Sequence, residues 1–242
     1  MSAQEVIQDL QELADPERAA HSAGYFKTGP GEYGEGDIFI GLTVPQGREI
    51  AQRHKSLPPA EALELLQSPI HEVRLCALHI LVNRYKRSKS EVEKAELFAL
   101  YLSSVQAGYV NNWDLIDTSA PTFGEFLLPD ENRRELLLEL AHSESLWERR
   151  LSIMFTFAFI RAQEFDDALA MAAFHLGDSH DLIHKASGWM LREIGKRDVE
   201  VLRKFLRAHA AVMPRTELRY AIEKLDEDER QYWLTVRRES AA

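Results

Sequence analysis

The chain of 242 residues carries a single cysteine, Cys76, so no disulfide can form within it and a cross-linked secreted scaffold is excluded. Cys76 lies in an apolar helical run with Val73, Leu75, Ala77 and Leu78 and reads as a buried small hydrophobe. No stretch approaches the roughly 20 consecutive apolar residues that span a bilayer. The opening Met-Ser-Ala-Gln-Glu lacks the basic region and apolar core of a secretory signal. A cytoplasmic location without a membrane partner is therefore expected. Alternation of β-branched and polar residues is nearly missing as well, and only Asp37 to Val44 reads as extended. Positive charge is also in short supply. A net charge of −10 and a pI near 5.4 exclude a general nucleic-acid scavenger, which depends on Lys and Arg to neutralise phosphates. A local basic groove is still allowed, because screening confines exposed charges to about 8 Å at physiological salt. From Ser143 to Arg219 there are 12 Lys and Arg against 11 Asp and Glu, so a phosphate-facing surface is expected in that stretch.

Cofactor motifs are missing too. The glycine-rich segment Thr28 to Asp37, with four glycines and Pro30, has no Gly-Lys-Ser/Thr ending and no strand-loop-helix setting, so it reads as a structural or gating loop. His175, His180 and His184 have neither a His-Glu-x-x-His pattern nor a nearby cysteine. No metal and no cofactor are expected.

What remains is helix after helix. Apolar residues recur at helical spacing in Val6, Leu10 and Leu13 and again in Leu63, Leu66, Leu75, Leu78 and Leu81. Breaks fall at Leu57-Pro58-Pro59, Arg87 to Lys89, Pro129-Asp130, His142 to Ser145, Gly177 to Ser179 and Met213-Pro214. The segments HEVRLCALHIL, VNNWDLID, WERRLSIMF and IHKASGWML superpose with Arg74, Asn112, Arg149 and His184 in register. Their spacings, 35 to 38 residues, suit a two-helix repeat slightly shorter than the roughly 40–47 residues of standard HEAT units. A further unit begins near Arg219. The expected fold is therefore all-α: a HEAT-like repeat solenoid of antiparallel helix pairs with a concave cleft, one domain over residues 1–242, interrupted by the loop at 28–37.

In a solenoid, equivalent positions form rows along one surface. One place after the register residue stand Leu75, Trp113, Arg150 and Lys185; five places after stand His79, Asp117, Met154 and Trp189. Trp113 and Asp117 are i and i+4 on one helical face. Two aromatic faces, a carboxylate and two cations thus form a constellation suited to a cationic sugar-like species beside a phosphate chain. An aromatic face attracts positive charge, a carboxylate opposes the oxocarbenium-like charge of a breaking glycosidic bond, and Arg150 and Lys185 suit phosphates. Asp114 is expected to turn away from the row. Trp147 is read as structural and Arg149 as solvated or paired. Arg192-Glu193 and Lys196-Arg197 fit solvated surface and phosphate contact equally.

These residues resemble the AlkD-type DNA alkylation-repair family, which are HEAT-like-repeat N-glycosylases that release N3- and N7-alkylated purines. The resemblance is carried by Asn112-Trp113-Asp114-Leu115-Ile116-Asp117 with Ser119-Ala120-Pro121, by Leu146-Trp147-Glu148-Arg149-Arg150, and by Lys185-Ala186-Ser187-Gly188-Trp189-Met190-Leu191-Arg192-Glu193. It implies that Trp113, Asp117 and Trp189 form the trio around the lesion's deoxyribose, Asp117 assisting cleavage and water attack, and that Arg150 contacts DNA. Tyr25 and Lys27, in Tyr-Phe-Lys-Thr-Gly, resemble an N-terminal segment near the cleft. It further implies excision without insertion of the base into a deep pocket, unlike base-flipping glycosylases.

The expected function is a metal-free glycosylase, a monomer acting on double-stranded DNA with alkylated bases. The competing expectation is a catalytically inactive repeat protein that binds distorted DNA or a protein partner through the same face. It is motivated by Glu32, Glu35 and Asp37, which would repel a phosphate backbone if they lined the groove.

Overall fold

Helix starts are written into the sequence as small polar residues, whose side chains fold back onto the first turn. Ser2, Asp15, Thr43, Ser90, Asn112, Ser145, Asp198 and Asp226 each accept a backbone N–H of the helix that follows, satisfying donors that a helix leaves without partners. The resulting computed structural model describes residues 1–236. Among these residues 14 α-helices form and no strand does, which gives an all-α helical repeat fold. None of the helices is long and apolar enough to cross a membrane.

The helices fall into two compact units, Met1–Phe126 and Leu127 onward. The first holds α1 (Ala3–Gln11), α2 (Pro16–Tyr25), α3 (Val44–Arg53), α4 (Pro59–Leu66), α5 (His71–Arg87), α6 (Glu91–Gln106) and α7 (Trp113–Phe123). Helix α5 is its centre, packed by α1, α3, α4, α6 and α7, and it is buried nearly all round from Val73 to Val82. The second unit holds α8 (Arg133–Ala141), α9 (Leu146–Arg161), α10 (Asp166–Phe174), α11 (Asp181–Gly195), α12 (Val199–His209), α13 (Arg215–Ala221) and α14 (Glu227–Thr235). There α9 packs on α8, α10 and α11, and α11 packs in turn on α12 and α13. The expected core residues Val6, Leu10, Leu66, Leu78 and Leu81 are fully buried. Leu63 is half-buried, and Leu13 falls outside the core: α1 ends at Gln11, so Leu13 leaves the helical face and stands 38% exposed. Cys76 is fully buried, and burial pushes its thiol up to about 12, so it stays an inert thiol.

The repeat register has a physical basis. Arg74 donates from Nη1 to the carbonyl of Ser68, Arg149 from Nη1 to that of Ser143, and His184 through Nε2 to that of Asp178. Each register side chain thus reaches six residues back and closes the turn that leads into its own helix. Arg74 and Arg149 add an aspartate each, Asp37 at 2.6 Å and Asp178 at 2.8 Å. Asn112 differs, since it is the N-cap of α7 rather than a residue inside it. Counted from helix starts, Asp117 takes the place in α7 that Arg150 takes in α9 and Lys185 in α11, one turn earlier than Trp189 in α11. The sequence rows and the helix starts therefore differ by one turn at α7.

The extended segment after Asp37 makes one parallel bridge, Ile38 with Ile70, and no ladder. The reason is Glu72, whose carboxylate accepts the backbone N–H groups of Ile40, Gly41 and Leu42 at 2.8 to 3.3 Å. Consecutive amides that converge on one anion cannot point alternately to two neighbouring strands.

Candidate functional site

In the first unit the site residues are assembled by a charged cluster beneath them. His71, at the start of α5, is 1% exposed. Its Nδ1 meets Asp37 Oδ2 at 3.0 Å and its Nε2 meets Asp114 Oδ2 at 2.8 Å. Two ring nitrogens that each face a carboxylate must both donate, so the ring is an imidazolium. Burial alone would lower its pKa, but the hydrogen bonds and charges of Asp114 and Asp37 outweigh burial and bring it up to about 9. Burial would raise the Asp37 pKa, yet His71 and Arg74 hold it below the usual carboxylate value. Asn112 adds an amide donor to Asp37 at 3.1 Å, and its own side-chain oxygen accepts the Trp113 N–H at 2.8 Å. Two cations and two carboxylates thus balance inside the unit, and the start of α7 is tied to it at Asn112 and Asp114.

An aromatic ladder stands on this cluster. Phe39 stacks on His71 with centroids 4.5 Å apart, Phe26 stacks on Phe39 at 5.0 Å, and Trp113 stacks on Phe26 at 5.4 Å with planes 16° apart. Tyr25 meets the Trp113 ring edge-on at 6.1 Å and is 61% exposed. Stacked rings over an imidazolium combine apolar burial with cation–π attraction. Trp113 is left partly exposed, and Asp117 follows one turn later on α7, also partly exposed. Pro121 lies inside α7 and has no N–H to give the carbonyl of Asp117 four residues upstream. Asp114 turns to His71, away from Asp117, as the spacing suggested.

The loop of residues 28–37 closes on itself. Glu32 accepts the Gly29 N–H and Glu35 the Gly31 N–H, while Gly34 donates to the Lys27 carbonyl. Gly34 is required there, because a Cβ would stand 2.3 Å from the Phe26 carbonyl. Lys27 is exposed and takes a left-handed φ of 53°, which turns the chain sharply after Phe26. Asp37, expected as a possible groove acid, is instead a buried partner of His71 and Arg74.

The second unit holds the other named residues. Arg150 is 4% exposed and donates from Nη1 to the carbonyl of Leu182, at the start of α11. Lys185, on the next turn, pairs with Asp181 at 2.6 Å. Trp189, one turn further, is partly exposed and lies 5.9 Å from Phe157 of α9. Its Nε1 donates to Glu193, which also pairs with Lys196 and Arg197. Arg192 pairs with Glu223, so the basic residues around Trp189 are largely neutralised. Arg149 is paired, as expected, with Asp178. The three histidines serve the fold: His175 meets Ser152, His180 caps α11 and His184 closes a turn. No group of three or more His, Cys, Asp or Glu among the described residues is arranged to hold a metal ion.

A family model described as DNA alkylation repair enzyme matches residues 6–225. The chain belongs to that family. Membership places it among DNA-repair proteins, in keeping with the motifs around Trp113, Asp117 and Trp189. A solved structure titled "Predicted DNA alkylation repair enzyme from Enterococcus faecalis" is similar at a TM-score of 0.68 and 17% identity, covering 88% of this chain and 97% of that one. That likeness bears on the fold. Among curated proteins none matches the sequence. Sequence reasoning missed Phe26, Phe39, His71, Asp114 as a ligand of His71, and Glu72. Phe26 stood between the two residues that were named, and the aromatic pair Tyr25-Phe26 was the available signal.

Proposed function

We propose that the protein is a DNA N-glycosylase that hydrolyses the glycosidic bond of N3- and N7-alkylated purines in double-stranded DNA, as a monomer and without metal. The observation that carries this reading is Trp113, stacked on Phe26 and met edge-on by Tyr25, one turn before Asp117, in a member of a DNA alkylation repair family. An alkylated purine carries positive charge, so its C1′–N bond breaks with the electron pair leaving on the base, which departs neutral. Asp117 opposes the charge that grows on the sugar and receives a proton from the water that adds to C1′. Trp113 and Trp189 offer π faces to the cationic species, and Arg150, Lys185, Tyr25 and Lys27 serve the strand. The products are a free base and an abasic deoxyribose.

An inactive scaffold draws its support from the acidic loop, where Glu32 and Glu35 stay at the surface. Asp37 is buried against His71 and Arg74, and Glu32 and Glu35 are engaged with the loop's own amides. The test is release of 7-methylguanine or 3-methyladenine from methylated duplex DNA in the presence of a chelator. Asp117→Asn is expected to lower the rate about 10²–10³-fold. Base release at undiminished rate by Asp117→Asn, or none by the native protein at any concentration, refutes the proposal.

A further inference from the structure

Helix α9 presents Arg150, Phe157 and Arg161 at i, i+7 and i+11, spacings that return to one face of a helix. Phe157 stands 5.9 Å from Trp189, and the Arg161 guanidinium lies over the Phe157 ring, 4.4 Å from its centroid. Arg161 is exposed, and among the described residues no carboxylate pairs with it. The basic residues of α11 and just after it are different. Lys185 is paired with Asp181, Lys196 and Arg197 with Glu193, and Arg192 with Glu223. A cation at the C-terminal end of a helix is favoured by the helix dipole. The dipole does not explain why this one is seated on an aromatic ring next to Trp189.

We propose that Arg161, held on Phe157, is a phosphate clamp for a DNA strand that passes Trp189. A guanidinium stacked on a ring keeps its edge donors free for phosphate oxygens while its orientation is already fixed, so little freedom is lost on binding. Arg161 lies about 16 Å along α9 from the buried Arg150, so its exposed guanidinium is a separate point for a phosphate. The inference rests on the reading of the protein as an enzyme of DNA, and it adds a backbone contact that no motif of the sequence marks.

The test is binding of undamaged and methylated duplexes by fluorescence anisotropy between 50 and 300 mM salt. For Arg161→Gln the slope of log affinity against log salt is expected to become shallower by about 0.9, the loss of one phosphate contact. The native protein's advantage then grows about 3.5-fold between 200 and 50 mM salt. Both duplexes should show the same change, Arg161→Lys should restore the slope, and the unfolding midpoint should not move. An unchanged slope in Arg161→Gln, or a native protein that binds neither duplex, overturns the proposal. Base release is scored separately: release with an unmoved slope removes the clamp alone, whereas a moved slope without release removes the glycosylase reading alone.

Discussion

Replacing His71 by glutamine tests whether an imidazolium holds the aromatic ladder in place. In the native protein both ring nitrogens donate to carboxylates, and the pKa stands at about 9 against 6.5 for an ordinary histidine. The folded state therefore binds this proton more tightly than the unfolded one. The stabilisation is fully present below pH 6.5, fades as pH rises, and is gone above about 9. At 1.36 kcal/mol for each pH unit, the whole effect is about 3 kcal/mol. His71→Gln fills similar space and can donate to one aspartate, but it leaves two carboxylates with the charge of Arg74 alone. Urea denaturation of both proteins from pH 5.5 to 10 is the assay. The variant is expected to be less stable by about 3 kcal/mol at pH 6, and the gap should close to about 1 kcal/mol or less near pH 10. Titrating groups away from His71 are common to both proteins and cancel in the difference, whereas Asp37 and Asp114 lose the partner that His71 gives them. A gap that stays constant across the range would refute the reasoning, because it would mean that His71 contributes shape and not charge.

Glu217 carries the opposite problem. Both of its carboxylate oxygens are buried without a hydrogen-bond partner, and burial pushes its pKa up to about 8. Native stability should therefore fall as pH rises from 4.5 to 8, and Glu217→Gln should be the more stable protein at pH 8.5 by about 4–5 kcal/mol, read from urea midpoints. Gly188 packs so closely on α13 that a Cβ would lie 2.5 Å from the Glu217 carbonyl and 2.6 Å from the Tyr220 Cβ. Gly188→Ala should accordingly lose about 1–3 kcal/mol on thermal unfolding, although alanine ordinarily favours a helix. A rise in the melting temperature would show that α11 and α13 can part without cost.

The helices were legible because their punctuation is local. Caps, prolines and the four-glycine loop act on their neighbours, and the apolar spacing of Val6 and Leu10 or of Leu78 and Leu81 points to one side. Two breaks escaped. The turn after α9 places Gln163 at a φ of 67° with neither glycine nor proline to announce it, and the turn before α7 starts that helix a turn later than the register implied. Trp113, Asp117 and Trp189 were singled out by their motifs, but the support under Trp113 was not legible. His71 takes its partners from 34 residues before it and 43 after it, and no pattern within a helix encodes such pairs. A carboxylate in a glycine-rich loop looks solvated from its neighbours alone. Asp37 is buried because Arg74 and His71 come to it from another element, and charge counting cannot tell the two cases apart.

The side-chain bonds that close each turn also bear on how such a protein can diverge. Arg74, Arg149 and His184 bind backbone carbonyls, and a carbonyl is offered by every amino acid. The residues whose oxygens are used, Ser68, Ser143 and Asp178, are free to change as far as this bond is concerned. Even the donor tolerates exchange, since an arginine and a histidine perform the same closure. These turns are thus specified through groups that mutation rarely removes, so the closure can outlast wide change in the residues around it.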